Sequence, residues 1–188
     1  MTQMKDPVQS WAYNMVQHPQ TLILDTETTG LGPRAEVIEI AIVDIAGKIL
    51  MDTLVQCQDP IPQDAVRIHG ITKDMLEVEK APTFPQLWPE LEPLLRDHKL
   101  VIYNADYDLS VIRGTARRYK IALPPMMAPS CLMLHYSAHV GDERWDGDYV
   151  YQKLITACRE FKIEHTSHRA LGDAEAARQV LLKLAEKE

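Results

Sequence analysis

Two carboxylates, Asp25 and Glu27, lie two residues apart at the end of the apolar run 21–24. Such a run predicts a strand that is buried on both faces, and alternate side chains of a strand point to the same face. Both carboxylates therefore project together, and their repulsion raises each pKa unless a cation lies between them. The simpler interpretation is a solvated strand end before a turn at residues 28–30, because carboxylates are mostly exposed.

Two further acids interrupt the apolar faces of predicted helices. Asp173 belongs to a stripe in the predicted helix 169–186 whose other members are Ala170, Ala174, Ala177, Val180, Leu181 and Leu184. Asp108 lies near the start of a similar stripe in the predicted helix 105–119. Each acid alone has a structural explanation as a helix-start residue. Buried unpaired charges are costly, so four acids at the ends of elements near one sheet favour a metal site. Oxygen ligands favour Mg²⁺ or Mn²⁺.

A histidine precedes the last of these acids. His168 lies five residues before Asp173, in the segment that leads into the helix. A neutral imidazole with a pKa near ~6.5 suits a general base that removes a proton from water. His165 is a rival, and we expect it to lie beyond reach of Asp173 unless the loop doubles back. In isolation, either residue has the simpler explanation of an exposed loop histidine.

The elements that must position these residues follow from hydrophobic periodicity. The predicted helices cover 6–17, 83–97, 105–119, 149–161 and 169–186, and the predicted strands cover 21–25, 36–45, 49–57, 99–103 and 130–134. The second and third strands form a hairpin, and residues 58–82 carry few regular signals. The pattern predicts an α/β fold in which one mixed sheet has helices on both faces. We expect an N-terminal amphipathic helix within residues 1–20 and one catalytic domain over 21–188.

Composition restricts the class of protein. The chain has 188 residues, with 20 Lys and Arg against 27 Asp and Glu, so its formal net charge is -7. This balance argues against a simple electrostatic binder of nucleic acid. Three cysteines without a CxxC pair predict reduced thiols and a cytoplasmic protein. No apolar run approaches the ~18 residues of a membrane span, and the first six residues lack a signal-peptide pattern.

Three motifs carry a resemblance to a known family. They are Asp25-Thr-Glu-Thr-Thr-Gly-Leu31, Asn104-Ala-Asp-Tyr-Asp108 and His168-Arg-Ala-Leu-Gly-Asp173, with a further similar segment at 61–72. Over residues 21–184 the chain resembles the DnaQ-like, DEDDh-type 3′–5′ exonucleases, such as the epsilon subunit, RNase T and oligoribonuclease. In the second motif Tyr103 stands where many members have His, and Tyr107 where they have Phe.

The resemblance implies an RNase H-like, five-stranded mixed sheet of order 3-2-1-4-5, flanked by helices. It also implies two Mg²⁺ or Mn²⁺ ions, held by Asp25, Glu27, Asp108 and Asp173. Asp25 would bridge the ions, while Glu27 and Asp173 would complete the shell of the ion that holds the attacking water. Asp108 would serve the second ion. His168 would activate the water.

The resemblance further implies a substrate and its contacts. The implied contacts with the terminal nucleotide are Thr28, Thr29, Gly30, His69 and Asn104. The implied substrate is nucleic acid with a free 3′ end, foremost single-stranded DNA, from which nucleoside 5′-monophosphates are released. A polymerase or another repair protein is the implied partner. The alternatives are an exonuclease that acts on RNA or oligoribonucleotides, and a DnaQ-like module that binds without cutting.

Three other patterns have both a functional and a structural interpretation. Basic residues cluster at Arg113, Arg117, Arg118 and Lys120, either to steer phosphate or simply as a solvated face. Cys131, His135 and His139 share a helical spacing, but three zinc ligands would need a fourth. The acidic segment 141–148 is predicted to be a mobile loop at the rim of the cleft.

Overall fold

The computed structural model describes residues 6–165 and 168–186. The described strands are β1 (Thr21–Thr28), β2 (Val37–Asp44), β3 (Ile49–Leu54), β4 (Lys99–Ile102) and β5 (Ser130–Cys131). The described helices are α1 (Pro7–Gln17), α2 (Gln63–His69), α3 (Lys73–Val78), α4 (Phe84–Arg96), α5 (Ala105–Arg118), α6 (Leu132–Val140), α7 (Leu154–Phe161) and α8 (Ala170–Ala185). None of the helices in this part of the chain is long and apolar enough to cross a membrane.

The five strands form one sheet in the order β3-β2-β1-β4-β5. The pairs β1–β2 and β2–β3 are antiparallel, whereas β1–β4 and β4–β5 are parallel. This confirms the predicted fold class, a mixed α/β sheet with an antiparallel second strand. Asp25 of β1 lies opposite Ala41 of β2, and Glu27 lies opposite Glu39.

Alternation along β1 divides its side chains between two hydrophobic cores. Ile23 is buried in a core shared with α1, α6, α7 and α8. Leu22 and Leu24 are buried in the opposite core, which contains residues of α4 and α5. The sheet is therefore covered on both faces. Asp25 and Glu27 continue the row of Ile23, and Thr26 continues the row of Leu24.

The predicted N-terminal helix is confirmed as α1. The Asp6 carboxylate accepts a hydrogen bond from the backbone N–H of Val8 at 2.8 Å, and Pro7 occupies the first turn, where its missing N–H costs nothing. Val8 and Ala12 are buried in the core that α1 shares with α8. The division into a helix over 1–20 and a domain over 21–188 stays a prediction.

Several predicted boundaries differ from the structure. Helices α2 and α3 lie in the segment 58–82, where no regular element was predicted. They are six or seven residues long, so neither has enough turns to show a period. The predicted strand 130–134 continues as a strand only to Cys131, and α6 starts at Leu132. The third strand ends at Leu54 and α7 begins at Leu154, so both are shorter than predicted.

Candidate active site

Three of the four predicted acids meet at one point. One carboxylate oxygen from each of Asp25, Glu27 and Asp173 lies within 4.8 Å of the other two. Strand β1 supplies the first two acids on one face, and the first turn of α8 supplies the third. Helix α8 packs on both β1 and β2, so the apolar stripe of α8 carries Asp173 onto the strand face that bears the other acids.

The fourth acid, Asp108, reaches the cluster from the other helical layer. Its side chain is buried in the first turn of α5. The Thr26 hydroxyl donates a hydrogen bond to the Asp108 carboxylate at 2.7 Å. Because Thr26 lies between Asp25 and Glu27 on β1, this bond ties the start of α5 to the strand that carries the other acids.

Burial and like charge act together on these carboxyl groups. Desolvation is the largest cause that raises the pKa of Asp25, followed by repulsion from Asp108, Asp173 and Glu27. Desolvation, with repulsion from Asp173, raises the pKa of Glu27 to about 8. Desolvation also raises the pKa of Asp108 to about 7, against the hydrogen bond from Thr26. Such a site favours positive charge among its oxygens.

A fifth carboxylate, Glu39, adjoins the cluster and was missed in the sequence. It lies on β2, only 2% exposed, directly opposite Glu27. Its oxygens accept hydrogen bonds from the Arg169 guanidinium and from the backbone N–H of Ala170 at 2.9 Å. Glu39 therefore anchors the segment immediately before Asp173. A carboxylate within the apolar strand sequence Val-Ile-Glu-Ile-Ala-Ile-Val was the available signal.

The two histidines occupy different positions around Asp173. The ring Nε2 of His165 contacts one carboxylate oxygen of Asp173, and the His165 side chain is 3% exposed. The expectation that His165 lies beyond reach is therefore wrong. His168 is exposed, has a left-handed φ of 70°, and points its backbone N–H at the other Asp173 oxygen at 3.3 Å. The role of His168 as the base stays a prediction.

The residues predicted to contact a nucleotide form a connected segment at the end of β1. The hydroxyls of Thr28 and Tyr107 lie 2.6 Å apart, and Tyr107 donates to the Gly30 carbonyl at 2.8 Å. The Thr29 hydroxyl accepts a bond from the Glu36 backbone N–H at 3.0 Å. Gly30 has a φ of +142°, a conformation that side chains rarely adopt.

Two other predicted contacts flank this segment. His69 is buried at the end of α2, and its Nδ1 accepts a hydrogen bond from the backbone N–H of Ile71 at 3.0 Å. Burial lowers the pKa of His69, while the nearby backbone of Thr28 opposes that shift. Asn104 is exposed at the start of α5. Their contacts with substrate stay predictions.

The candidate zinc ligands are engaged elsewhere. The His135 ring stacks on Trp11 at a centroid distance of 3.5 Å, and His139 lies 3.6 Å from a Glu160 oxygen. Within residues 6–165 and 168–186, the group of side chains that could hold a metal is Asp25, Glu27 and Asp173.

The four residues of the predicted basic cluster differ in their surroundings. Arg118 pairs with Asp59 at 2.5 Å and lies 3.7 Å from the buried Glu36. It is therefore engaged structurally. Arg113, Arg117 and Lys120 are exposed. The segment 141–148 is exposed throughout and contains the Arg144–Asp146 ion pair. Its role at the rim of a cleft stays a prediction.

Comparison with known proteins agrees with this geometry. A family model described as Exonuclease, RNase T, matches residues 22–181. The chain is 36% identical over 171 residues to the exonuclease CP81 of Escherichia phage 186, and the match covers 87% of each protein. It is 29% identical over 176 residues to the DNA polymerase III subunit epsilon of Rickettsia felis, covering 87% of this chain and 72% of that protein.

Solved structures give the same result. Exonuclease X in complex with 5′-overhanging duplex DNA aligns with a TM-score of 0.63 and 27% identity, over 87% of this chain and 90% of that one. A product-bound exonuclease I aligns with a TM-score of 0.67 at 20% identity, over 89% of this chain and 43% of that one, which shows a shared fold. Because the family model matches residues 22–181, which is most of the chain and includes all four acids, the chain belongs to the RNase T family of DnaQ-like exonucleases.

Proposed function

We propose that this exonuclease is a metal-dependent 3′–5′ exonuclease of the DEDDh type that removes nucleoside 5′-monophosphates from single-stranded DNA ends. The observation that carries the proposal is the convergence of Asp25, Glu27 and Asp173 within 4.8 Å. Asp108 stands beside them through its bond with Thr26. Three carboxylates that meet at one point, with a fourth nearby, repel one another, and bound cations would offset that repulsion.

The donor set fits divalent metal ions. It offers only carboxylate oxygens, which hard cations such as Mg²⁺ and Mn²⁺ prefer, and its desolvated charges need a counterion. Asp25, Glu27 and Asp173 would hold one cation, and Asp108 together with Asp25 would hold a second. When bound, two such cations stabilise the charge on the attacking and leaving oxygens of a phosphodiester.

The remaining residues bind and orient the reactants. The segment Thr28–Gly30 receives the terminal nucleotide, and Gly30 lets the backbone approach it closely. A ring nitrogen of His168 would accept the proton of the attacking water, a role that the exposure of this residue and the bond between its backbone N–H and Asp173 support. His165, whose ring is buried against Asp173, positions that carboxylate.

DNA is the proposed substrate for two reasons. One relative is a subunit of DNA polymerase III, and one similar structure was solved with duplex DNA. A polymerase or repair protein is the proposed partner for the same reason. The three cysteines, Cys57, Cys131 and Cys158, are free thiols, which supports work in the reducing cytoplasm.

The test uses a 5′-labelled single-stranded DNA, an RNA of the same sequence, and a circular single strand. With Mg²⁺ or Mn²⁺, the linear DNA should shorten from its 3′ end and release 5′-monophosphates, identified by mass. EDTA should abolish the reaction, Ca²⁺ should not restore it, and a 3′-phosphate should slow it.

Three results would contradict the proposal: full activity in EDTA, products that carry 3′-phosphates, or cuts in the circular strand. Faster digestion of RNA than of DNA would indicate that the substrate is the 3′ end of an RNA. Binding without cleavage in every metal would indicate a module that binds only.

A further inference from the structure

Helix α5 has a row of exposed side chains that starts at the end of the helix next to the acid cluster. The buried side of this helix holds Asp108, whose carboxylate accepts the bond from Thr26. The exposed residues of the outer side are Asp106, Ser110, Arg113 and Arg117, and the exposed Lys120 follows the end of the helix. Residues three or four apart are neighbours on a helix surface. One face of α5 therefore extends from the acid cluster to a group of cations.

The cations on this face are well separated from the acids. Because a helix rises ~1.5 Å per residue, Arg113 lies ~10 Å and Arg117 ~16 Å beyond Asp106 along the axis. These distances correspond to about two and three turns of the helix. A nucleic acid whose 3′ end lies at the acid cluster can therefore bring the phosphates of earlier nucleotides to these guanidinium groups.

Three cations of this region have no structural role like that of Arg118, which pairs with Asp59. In the part of the chain that the structure describes, Arg113, Arg117 and Lys120 form no ion pair. The negative end of the helix dipole favours Arg117 and Lys120 at the end of α5. Arg113 lies before the last turn, so the dipole does not account for its charge. We refer to Arg113, Arg117 and Lys120 as the basic stripe.

Charge and position indicate which molecule fits the basic stripe. The whole chain has a formal net charge of -7, so local positive charge is needed to attract a polyanion. Arginine donates several hydrogen bonds to a phosphate in a fixed geometry, and a nucleic acid carries one phosphate charge per nucleotide. The carboxylates of an acidic protein are also acceptors. The stripe, however, lies on the helix that carries Asp108, which favours the strand that enters the active site.

We propose that the basic stripe binds backbone phosphates of the substrate strand, on the 5′ side of the nucleotides that occupy the active site. The inference rests on the proposed function, since it needs a 3′ end at the acid cluster. Phosphate contacts carry no sequence information, so the stripe holds strands of different sequence equally. It gives the enzyme a preference for strands that are long enough to reach Arg113 and Arg117.

The first test compares substrates of two lengths. The measured quantity is the ratio of kcat/KM on a single-stranded DNA of about 20 nucleotides, which spans the contacts of a typical single-strand site, to kcat/KM on a trinucleotide. Arg113→Gln and Arg117→Gln each remove one charge and keep a good helix former. Each variant should lower the ratio about 5-fold, the order of effect of one exposed charge pair. The double variant should lower it about 25-fold.

Matched variants identify the contact as one with phosphate. Arg113→Lys keeps the charge and should keep most of the length preference. Arg159→Gln is the control, because Arg159 is an exposed arginine on α7, which packs on the opposite face of the sheet, and it should leave the ratio unchanged. The slope of log KM against log salt concentration should fall by ~0.7 for each phosphate contact that is lost. Replacing the contacted phosphate by a neutral methylphosphonate should reproduce the loss and should not add to that of the Arg→Gln variant.

The outcomes separate this inference from the proposed function. If the wild type releases no nucleotide from any 3′ end with Mg²⁺ or Mn²⁺, the proposed function fails and the role of the basic stripe fails with it. If the wild type degrades DNA but the Arg→Gln variants keep its length ratio and salt slope, only the basic stripe is refuted, and an acidic protein becomes the better candidate for it. Equal losses on the trinucleotide and the long DNA would also refute it.

Discussion

The acids on β1 and the histidines before α8 all lie close to Asp173 but are held in different ways. Asp25 and Glu27 belong to a strand whose pairing with β2 continues through both residues. His168 lies outside any helix or strand, is exposed, and has a left-handed backbone, a conformation uncommon in residues other than glycine. The paired strand fixes the positions of the two carboxylates, as the proposed metal site requires, whereas the segment before α8 leaves the proposed base room to adjust.

The largest expected effect concerns the acid cluster that β1 and α8 form. Asp25→Asn keeps the size of the side chain and removes the charge that would bridge two cations, so turnover should fall by several orders of magnitude. Asp173→Asn should act similarly. Steady-state rates on labelled DNA, with circular dichroism to confirm folding, check this prediction. If either variant unfolds instead of losing activity alone, that acid is a structural group.

The second effect divides the two histidines. His168→Ala should lower turnover by ~10²–10⁴-fold, the usual contribution of a general base. His165→Ala should cost less, because its ring contacts Asp173 and orients that carboxylate. Metal binding, followed by calorimetry, should survive in His168→Ala. An exchange of the two behaviours would make His165 the base.

The third effect concerns Glu39, whose carboxylate binds Arg169 and Ala170 at the start of α8. Glu39→Gln leaves an acceptor for the Ala170 N–H but removes the charge that holds Arg169. Turnover should fall about 10-fold, as is typical when support of a metal ligand is lost. Glu175→Gln is the control, since Glu175 pairs with Arg178 in the same way, at 2.6 Å, on α8. Equal losses in both variants would show that Glu39 acts only on general stability.

The smallest effect is on stability without metal. A raised carboxyl pKa means that the folded state keeps protons that the unfolded chain has released. The free energy of unfolding in EDTA should therefore fall as the pH rises from the ordinary glutamate pKa of 4.5 towards the pKa of about 8 that Glu27 has in the folded state. Urea titrations at several pH values measure this slope. Mg²⁺ should reverse it, and Asp25→Asn should reduce it. A flat profile would mean that the acids are well solvated.

The strands and helices with long apolar runs or stripes could be predicted from the sequence. The β2–β3 hairpin follows from two apolar runs and one tight turn, whereas the order of the five strands came from the family resemblance. The apolar stripe of α8 indicated that Asp173 lies on the buried side of that helix. Glu39 could also have been found, because a charge within a buried strand requires a partner. The positions of His165 and His168 could not be predicted from the sequence, because no periodicity describes the path of a loop. Helix α6 was missed because a short apolar run fits strand and helix equally.

The contact of Glu39 with Arg169 spans 130 residues of chain, and this has a consequence for synthesis. A ribosome releases β1 and α5 before α8, so a growing chain already contains Asp25, Glu27 and Asp108 while Asp173, His165 and His168 are still missing. Contacts between distant segments form late. With the roles proposed for Asp173 and His168, the chain would not cut until α8 has docked, and a chain interrupted before α8 would leave the nucleic acid around it intact.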